Sequence, residues 1–193
     1  MLSQAIVPWC EELLENGWAV GPSVLPSTAW DAMARLKQAT LNENLLPAGT
    51  GKGQDYRAQS VRGDRIRWLD PGRPLDAAVL APLDALRQTL REELRLPLSH
   101  QEAHLAWYPP GAGYARHLDS FRKDNARLVS LVCYLNPGWQ PPHGGCLRLH
   151  LPTGTHDVPP QQGTAALFLS ECIEHEVLPS AVDRWSLACW FRR

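Results

Sequence analysis

The sequence predicts an α+β fold: a double-stranded β-helix (jelly roll) core resting on supporting N-terminal helices. Up to about residue 97, apolar residues recur at steps of three and four, the period of one helix face. Beyond that point short apolar runs alternate with Gly, Pro and Asn turns, the pattern of a sandwich, barrel or jelly roll. The 193 residues hold no internal repeat and no linker, which suits one domain with a sizeable core. The expected organisation is a single domain over 1–193. Residues 1–97 give helical support and a mobile substrate loop near 47–62, and residues 98–193 give the jelly-roll core.

The first helix is expected in MLSQAIVPWCEELLENGW, with Ile6, Trp9, Cys10, Leu13 and Leu14 on or near one face. PSTAWDAMARLKQ (26–38) sets Trp30, Met33 and Leu36 at helical spacing behind Ser27 or Thr28 as N-cap. LDAAVLAPLDALRQTLREELRL (75–96) continues the rhythm through Val79, Leu83, Leu86, Leu90 and Leu94. Pro82 is expected to kink or divide this helix and Pro97 to close it. PAGTGKGQDYRAQS (47–60) is polar and glycine-rich. It departs from the phosphate-loop pattern because Gly53 follows Lys52, so a mobile loop is the better reading. RGDRIRWL (62–69) reads as a strand bordering that loop. The core strands follow in AHLAWYP (103–109), LVSLVCYL (128–135), GGCLRLHL (144–151), TAALFLS (164–170), EHEVLP (174–179) and RWSLACWF (184–191).

The formal net charge of -1 argues against wholesale nucleic-acid binding, which needs a basic excess. No segment approaches the roughly 18–20 apolar residues of a membrane span, and the N-terminus lacks the features of a signal peptide. Five cysteines, odd in number and widely spaced, read as reduced thiols in a cytoplasmic protein.

The chemistry starts from YARHLD (114–119). Alternation along a strand sends His117 and Asp119 to the same face. His175, in ECIEHEVLP (171–179), is the candidate third ligand. Two imidazoles and one carboxylate on one face of a metal form the facial triad of non-haem Fe(II) oxygenases, with open positions for a bidentate cosubstrate and O2. Arg184 follows His175 by nine residues, inside an apolar strand where a permanent cation needs an anion. The far carboxylate of a metal-bound diacid answers that need as a fork-to-fork pair, and the Tyr134 hydroxyl can join it.

RGDRIRW (62–68), WYPPGAGYARHLD (107–119), RLVSLVCYLNPGW (127–139), GGCLRL (144–149) and HEVLPSAVDRWSLACWF (175–191) complete the pattern. On these stretches, about two-thirds of the chain, the sequence resembles the 2-oxoglutarate/Fe(II)-dependent dioxygenases. It looks most like the prolyl-hydroxylase-domain enzymes that modify hypoxia-inducible factor, in a bacterial form. The resemblance implies that His117, Asp119 and His175 ligate Fe(II), and that Arg184 binds the C5 carboxylate of 2-oxoglutarate with help from Tyr134. It implies that Tyr108 stands beside the metal, that Leu147 and Val177 wall the pocket, and that Trp190 lies beside the substrate proline. Asp64 and Arg127 match an acid-base pair that ties the mobile loop to the barrel near the substrate, and Arg122 can also touch substrate. The implied reaction hydroxylates a prolyl residue of a protein, at C4, consuming O2 and releasing succinate and CO2. Ascorbate has a supporting role, and elongation factor Tu is a candidate partner. A ligating carboxylate at Asp119 occupies the place that halide takes in related halogenases, which favours hydroxylation.

Other readings are a hydroxylase of a free amino acid or other small metabolite, and a non-catalytic 2-oxoglutarate or metal sensor. His100, His104, His143, His150 and His156 read as solvated side chains rather than ligands, and Trp107 and Trp185 as packing. The N-terminal helices, residues 47–60 and SFRKDN (120–125) match the family poorly, so substrate choice is expected there.

Overall fold

Alternation along the longest strands sorts this protein into two cores. The structure is a computed structural model that describes residues 2–22, 24–41, 43, 45–49, 61–120 and 126–193. The chain opens with α1 (Leu2–Asn16), β1 (Trp18–Pro22), α2 (Ser27–Thr40), β2 (Leu46–Pro47), β3 (Arg65–Trp68) and α3 (Pro74–Leu94). Then come β4 (His100–Tyr108), β5 (Tyr114–His117), β6 (Arg127–Tyr134), β7 (Leu147–Leu151), β8 (Gly154–Val158), β9 (Thr164–Leu169), β10 (Glu174–Val177) and β11 (Arg184–Arg192). A large antiparallel sheet has the order β1-β9-β6-β11-β4-β3-β2, and a smaller one the order β5-β10-β7-β8. Together they form the jelly roll.

Odd-numbered side chains of the large sheet, such as Leu105, Leu131, Leu167 and Leu187, pack under the helices against Ile6, Leu13, Met33, Leu36, Leu83 and Leu90. Even-numbered ones, Ala106, Tyr108, Tyr134, Ala166 and Phe168, face Leu147, Leu149, Val158 and Val177. Each fully buried leucine of this kind contributes about 1.5–3 kcal/mol. Because the large sheet is covered on both faces, its strands read as nearly continuous apolar runs, and the alternation is hidden in the sequence.

Several local expectations are corrected. Leu14 is 72% exposed, while Ile6, Trp9, Cys10 and Leu13 are buried. The N-cap residue of α2 is Pro26, which offers no side-chain cap, in place of Ser27 or Thr28. Pro82 does not divide α3, which keeps a buried face through Val79, Leu83, Leu86 and Leu90. That burial outweighs the roughly 3 kcal/mol that an interior proline costs. The helix stops at Leu94 because Arg95 turns left-handed (φ 54°), two residues before Pro97. Strands β1, β2 and β8 were not anticipated; they are short or polar (WAVGP, LP, GTHDV). Arg122 and residues 50–60, most of the expected loop, lie outside the described residues. Among the described residues no helix is long and apolar enough to cross a membrane.

Candidate active site

The two sheets face each other across a cavity of about 460 Å³. Strand β5 ends at His117, and Asp119 follows in the bend just beyond. Across the small sheet His175 on β10 is the register partner of His117. Strand pairing therefore joins residues nearly sixty positions apart. The ligand atoms of His117, Asp119 and His175 all lie within 4.8 Å of one another. The Nε2 atoms of His117 and His175 stand 3.6 Å from Asp119 Oδ1 and Oδ2, respectively. Donors about 2.0–2.2 Å from one shared ion have spacings of this order.

The tautomers follow from the backbone. His117 Nδ1 is 2.8 Å from the Ala115 carbonyl and His175 Nδ1 is 3.1 Å from the Ile173 carbonyl. A carbonyl only accepts, so each Nδ1 carries the proton and each Nε2 keeps its lone pair for a metal. Burial pushes the His175 imidazole down, against the pull of Asp119, and keeps it neutral. Burial would raise the Asp119 carboxyl. The neighbouring His175 and His117 outweigh it and hold the group well below the usual carboxylate range. Ser130 donates to Asp119 Oδ2 at 2.7 Å. Phe168 packs on His175 at 4.7 Å and Tyr114 stacks on His117 at 3.7 Å between centroids.

At the other end of the cavity lies Arg184, 2% exposed. Its Nε donates to the Gly145 carbonyl at 2.8 Å and one terminal nitrogen to Ser186 Oγ at 3.2 Å. The guanidinium also sits over the rings of Tyr108 (4.8 Å) and Tyr134 (5.4 Å). Among the described residues no carboxylate pairs with it. A buried cation without an acid is costly, so the site is built for an anion. Among the described residues the buried Tyr134 hydroxyl beside it has no partner, and burial holds its proton on. Gly145 makes the approach possible. Its φ is +72°, and a Cβ there would meet Ser180 Cβ at 2.9 Å and Arg184 Cδ at 3.2 Å. Leu147 and Val177, register partners on β7 and β10, wall the same space.

The residues expected to meet substrate are paired differently from expectation. Asp64 does not pair with Arg127. Arg62, two residues away, grips it through two bonds of 2.7 and 3.0 Å. Arg127 instead binds Glu102 at 2.7 Å, and the other Glu102 oxygen takes Arg192 at 2.7 Å. Local reach decides the first pair. Register decides the second, because Arg127 and Arg192 face each other across β6 and β11. Arg127 also covers the ring of Trp190 at 3.8 Å. His104 is not a solvated histidine; it is buried on β4 and lines the cavity. Parity was the available signal, because His104 shares its face with Tyr108. The same rule places Glu102 and Ala106 there.

The sequence model of the 2OG-Fe(II) oxygenase superfamily matches residues 103–192. Among solved structures, the chain is similar to a Pseudomonas putida prolyl-4-hydroxylase, with 42% identity over 97% of this chain and 99% of that one, at a TM-score of 0.87. It is also similar to a Trichoplax adhaerens prolyl hydroxylase in complex with a hypoxia inducible factor oxygen degradation domain peptide fragment. That match has 23% identity over 99% of this chain and 90% of that one, at a TM-score of 0.88, and speaks for the fold. The chain belongs to the 2-oxoglutarate/Fe(II)-dependent dioxygenases and, within them, to those of the prolyl 4-hydroxylase type. These enzymes use Fe(II), 2-oxoglutarate and O2.

Proposed function

We propose that this dioxygenase hydroxylates a prolyl residue, at C4, in a protein substrate. One observation carries the reading. A single cavity joins the His117, Asp119 and His175 cluster to the acid-free guanidinium of Arg184, with Tyr108 and Trp190 as aromatic walls. The 42% identity to a prolyl-4-hydroxylase supports it, as does the peptide bound to the Trichoplax adhaerens relative. In this reading the Nε2 atoms of His117 and His175 and the carboxylate of Asp119 hold Fe(II). When bound, Fe(II) supplies the O2 activation that an unactivated C–H bond requires.

The chain's own residues do the rest. Arg184 and the Tyr134 hydroxyl bind the far carboxylate of 2-oxoglutarate, and Leu147 and Val177 keep water from it. Tyr108 and Trp190 flank a substrate ring. Arg127 and Arg62 with Asp64 border the substrate side; the role of Arg122 in touching substrate rests on the sequence resemblance alone. A free amino acid would need unpaired charges for its ammonium and carboxylate. Glu102 is already shared by Arg127 and Arg192, so this acid is not free to take the ammonium. The free thiols of Cys10, Cys133, Cys146, Cys172 and Cys189 suit the reducing cytoplasm.

The test compares bacterial cell proteins incubated with Fe(II), 2-oxoglutarate, ascorbate as reductant, and either the wild type or His175→Ala. Mass spectrometry should find a peptide that gains one oxygen on proline with the wild type alone. Elongation factor Tu, suggested by the sequence resemblance, is the first peptide set to inspect. Turnover of 2-oxoglutarate with no protein gain would overturn the protein-substrate reading.

A further inference from the structure

A second cavity, of about 330 Å³, lies on the helix-side face of the large sheet. Its floor is Trp107 and Trp185, register partners on β4 and β11 whose rings stack at 6.0 Å with 23° between their planes. Tyr108 and Arg184, the next pair along the same strands, face the active cavity, so the pleat sets the two cavities on opposite sides of the sheet. The end of α2 and the chain just after it supply the remaining wall, with Leu41 and Leu45 as its apolar part.

Three charged side chains line this space. Glu43 is already held, by Arg67 at 2.8 Å and Arg73 at 3.9 Å. The other two are unengaged. Arg65 makes no ion pair and no side-chain hydrogen bond among the described residues. Asp183 takes the Trp107 Nε1 proton on Oδ1 at 2.9 Å, and its Oδ2 accepts nothing among the described residues. Lys37 feels the Asp183 charge, but its ammonium donates to the Leu135 carbonyl at 2.7 Å and joins no ion pair among the described residues. Both free charges converge on one indole. Arg65 is the register partner of Trp107 across β3 and β4, which sets their Cβ atoms about 4.5–5.5 Å apart on one face. Asp183 is bonded to the N–H of the same ring. Yet no ion pair joins Arg65 to Asp183. An acid and a base that share a pocket without meeting leave room between them for a ligand that carries both charges. A simple cation would leave Arg65 unanswered, and a simple anion would leave Asp183 unanswered.

We infer that this second cavity binds a free α-amino acid with a large apolar side chain. Its carboxylate pairs with the Arg65 guanidinium and its ammonium with Asp183 Oδ2. The side chain lies on Trp107 and Trp185, walled by Leu41 and Leu45. The cavity has the size of a small-molecule site. It opens on the face away from His117, Asp119 and His175, so the bound amino acid is a ligand and not a substrate of the reaction proposed above.

The test is a calorimetric titration of the wild type, Arg65→Gln and Asp183→Asn, each with Mn(II) and 2-oxoglutarate filling the active cavity. The probes are L-phenylalanine, 3-phenylpropionate and phenethylamine, which carry one ring with both charges, the carboxylate alone and the ammonium alone. The wild type should bind phenylalanine about tenfold tighter than either analogue, the scale of one charge-assisted hydrogen bond. Each substitution should weaken phenylalanine by a similar factor. Arg65→Gln should leave phenethylamine unchanged, and Asp183→Asn should leave 3-phenylpropionate unchanged. No binding of phenylalanine at millimolar concentration, or equal affinity for all three probes, would overturn the site. Binding that neither substitution alters would place the ligand elsewhere and overturn it as well. Both side chains are exposed, so the fold does not depend on them.

Discussion

Acid should destabilise this protein in part through His104. The ring is buried among Trp68, Trp190 and the charges of Arg62, Asp64, Arg127 and Asp119. Burial, reinforced by the two arginines and opposed by the two aspartates, lowers its pKa from 6.5 to about 3. Between those values the unfolded chain binds a proton that the folded chain does not. Stability is therefore fully present above the unfolded value and falls as the pH drops below it, until the folded value is reached. From about pH 7.5 to about pH 5, roughly 1.5 pH units of linkage at about 1.36 kcal/mol each give a loss of about 2 kcal/mol. His104→Met removes that titration and leaves the other groups to act alike in both proteins. Urea unfolding followed by tryptophan fluorescence at the two pH values gives the comparison. The wild type should lose about 2 kcal/mol more than the variant, a relative midpoint shift of about 1 M. Equal losses would mean that the folded protein protonates His104 as readily as the unfolded chain does, and the buried neutral ring would be refuted.

Arg184→Gln should weaken 2-oxoglutarate binding by about 30-fold or more, the result of removing about 2 kcal/mol or more of a buried charge pair. Calorimetry should find Fe(II) affinity nearly unchanged, and equal loss of both would make the arginine structural. Ser130→Ala deletes the 2.7 Å bond to Asp119 and should lower metal affinity about tenfold, read by metal titration. Gly145→Ala should cost about 1–2 kcal/mol in backbone strain and also raise the KM for 2-oxoglutarate, because its Cβ crowds Arg184. Gly138→Ala, at φ +67° with nothing among the described residues within 4 Å of the added Cβ, should show the strain without the change in KM.

The i,i+2 step at YARHLD survives in one dimension and raised the question, but His175 lies far along the chain, and it took Arg184 and the family resemblance of the later stretches to join it to that pair. Arg184 was legible for a related reason: a guanidinium amid RWSLACWF conflicts with its strand. Asp64 and Arg127 were harder. Each had an opposite charge available: Arg62 closes on Asp64 by local reach, and only register shows that Glu102 holds both Arg127 and Arg192. The N-terminus of α2 was misread because a favourable capping residue was present but Pro26 took the position.

His104 was missed where the rule that finds it had already been applied to its neighbour. Trp107 was assigned to packing because it alternates with the functional face, and the same parity puts His104 on that face with Tyr108. The obstacle was that AHLAWYP looks apolar throughout. A sheet buried on both sides leaves no polar face to mark the phase. Tyr108 and Arg184 fix that phase, since they are register partners. Counting outward in twos from this pair gives Ala106, His104 and Glu102 on β4, and Ser186, Ala188, Trp190 and Arg192 on β11, all of which line the cavity. Across β6 the same phase reaches Tyr134 beside Arg184 and Ser130 beside Asp119. One buried arginine on an apolar strand thus carries more positional information than any of the apolar residues around it. It identifies the interior face, and the pleat does the rest.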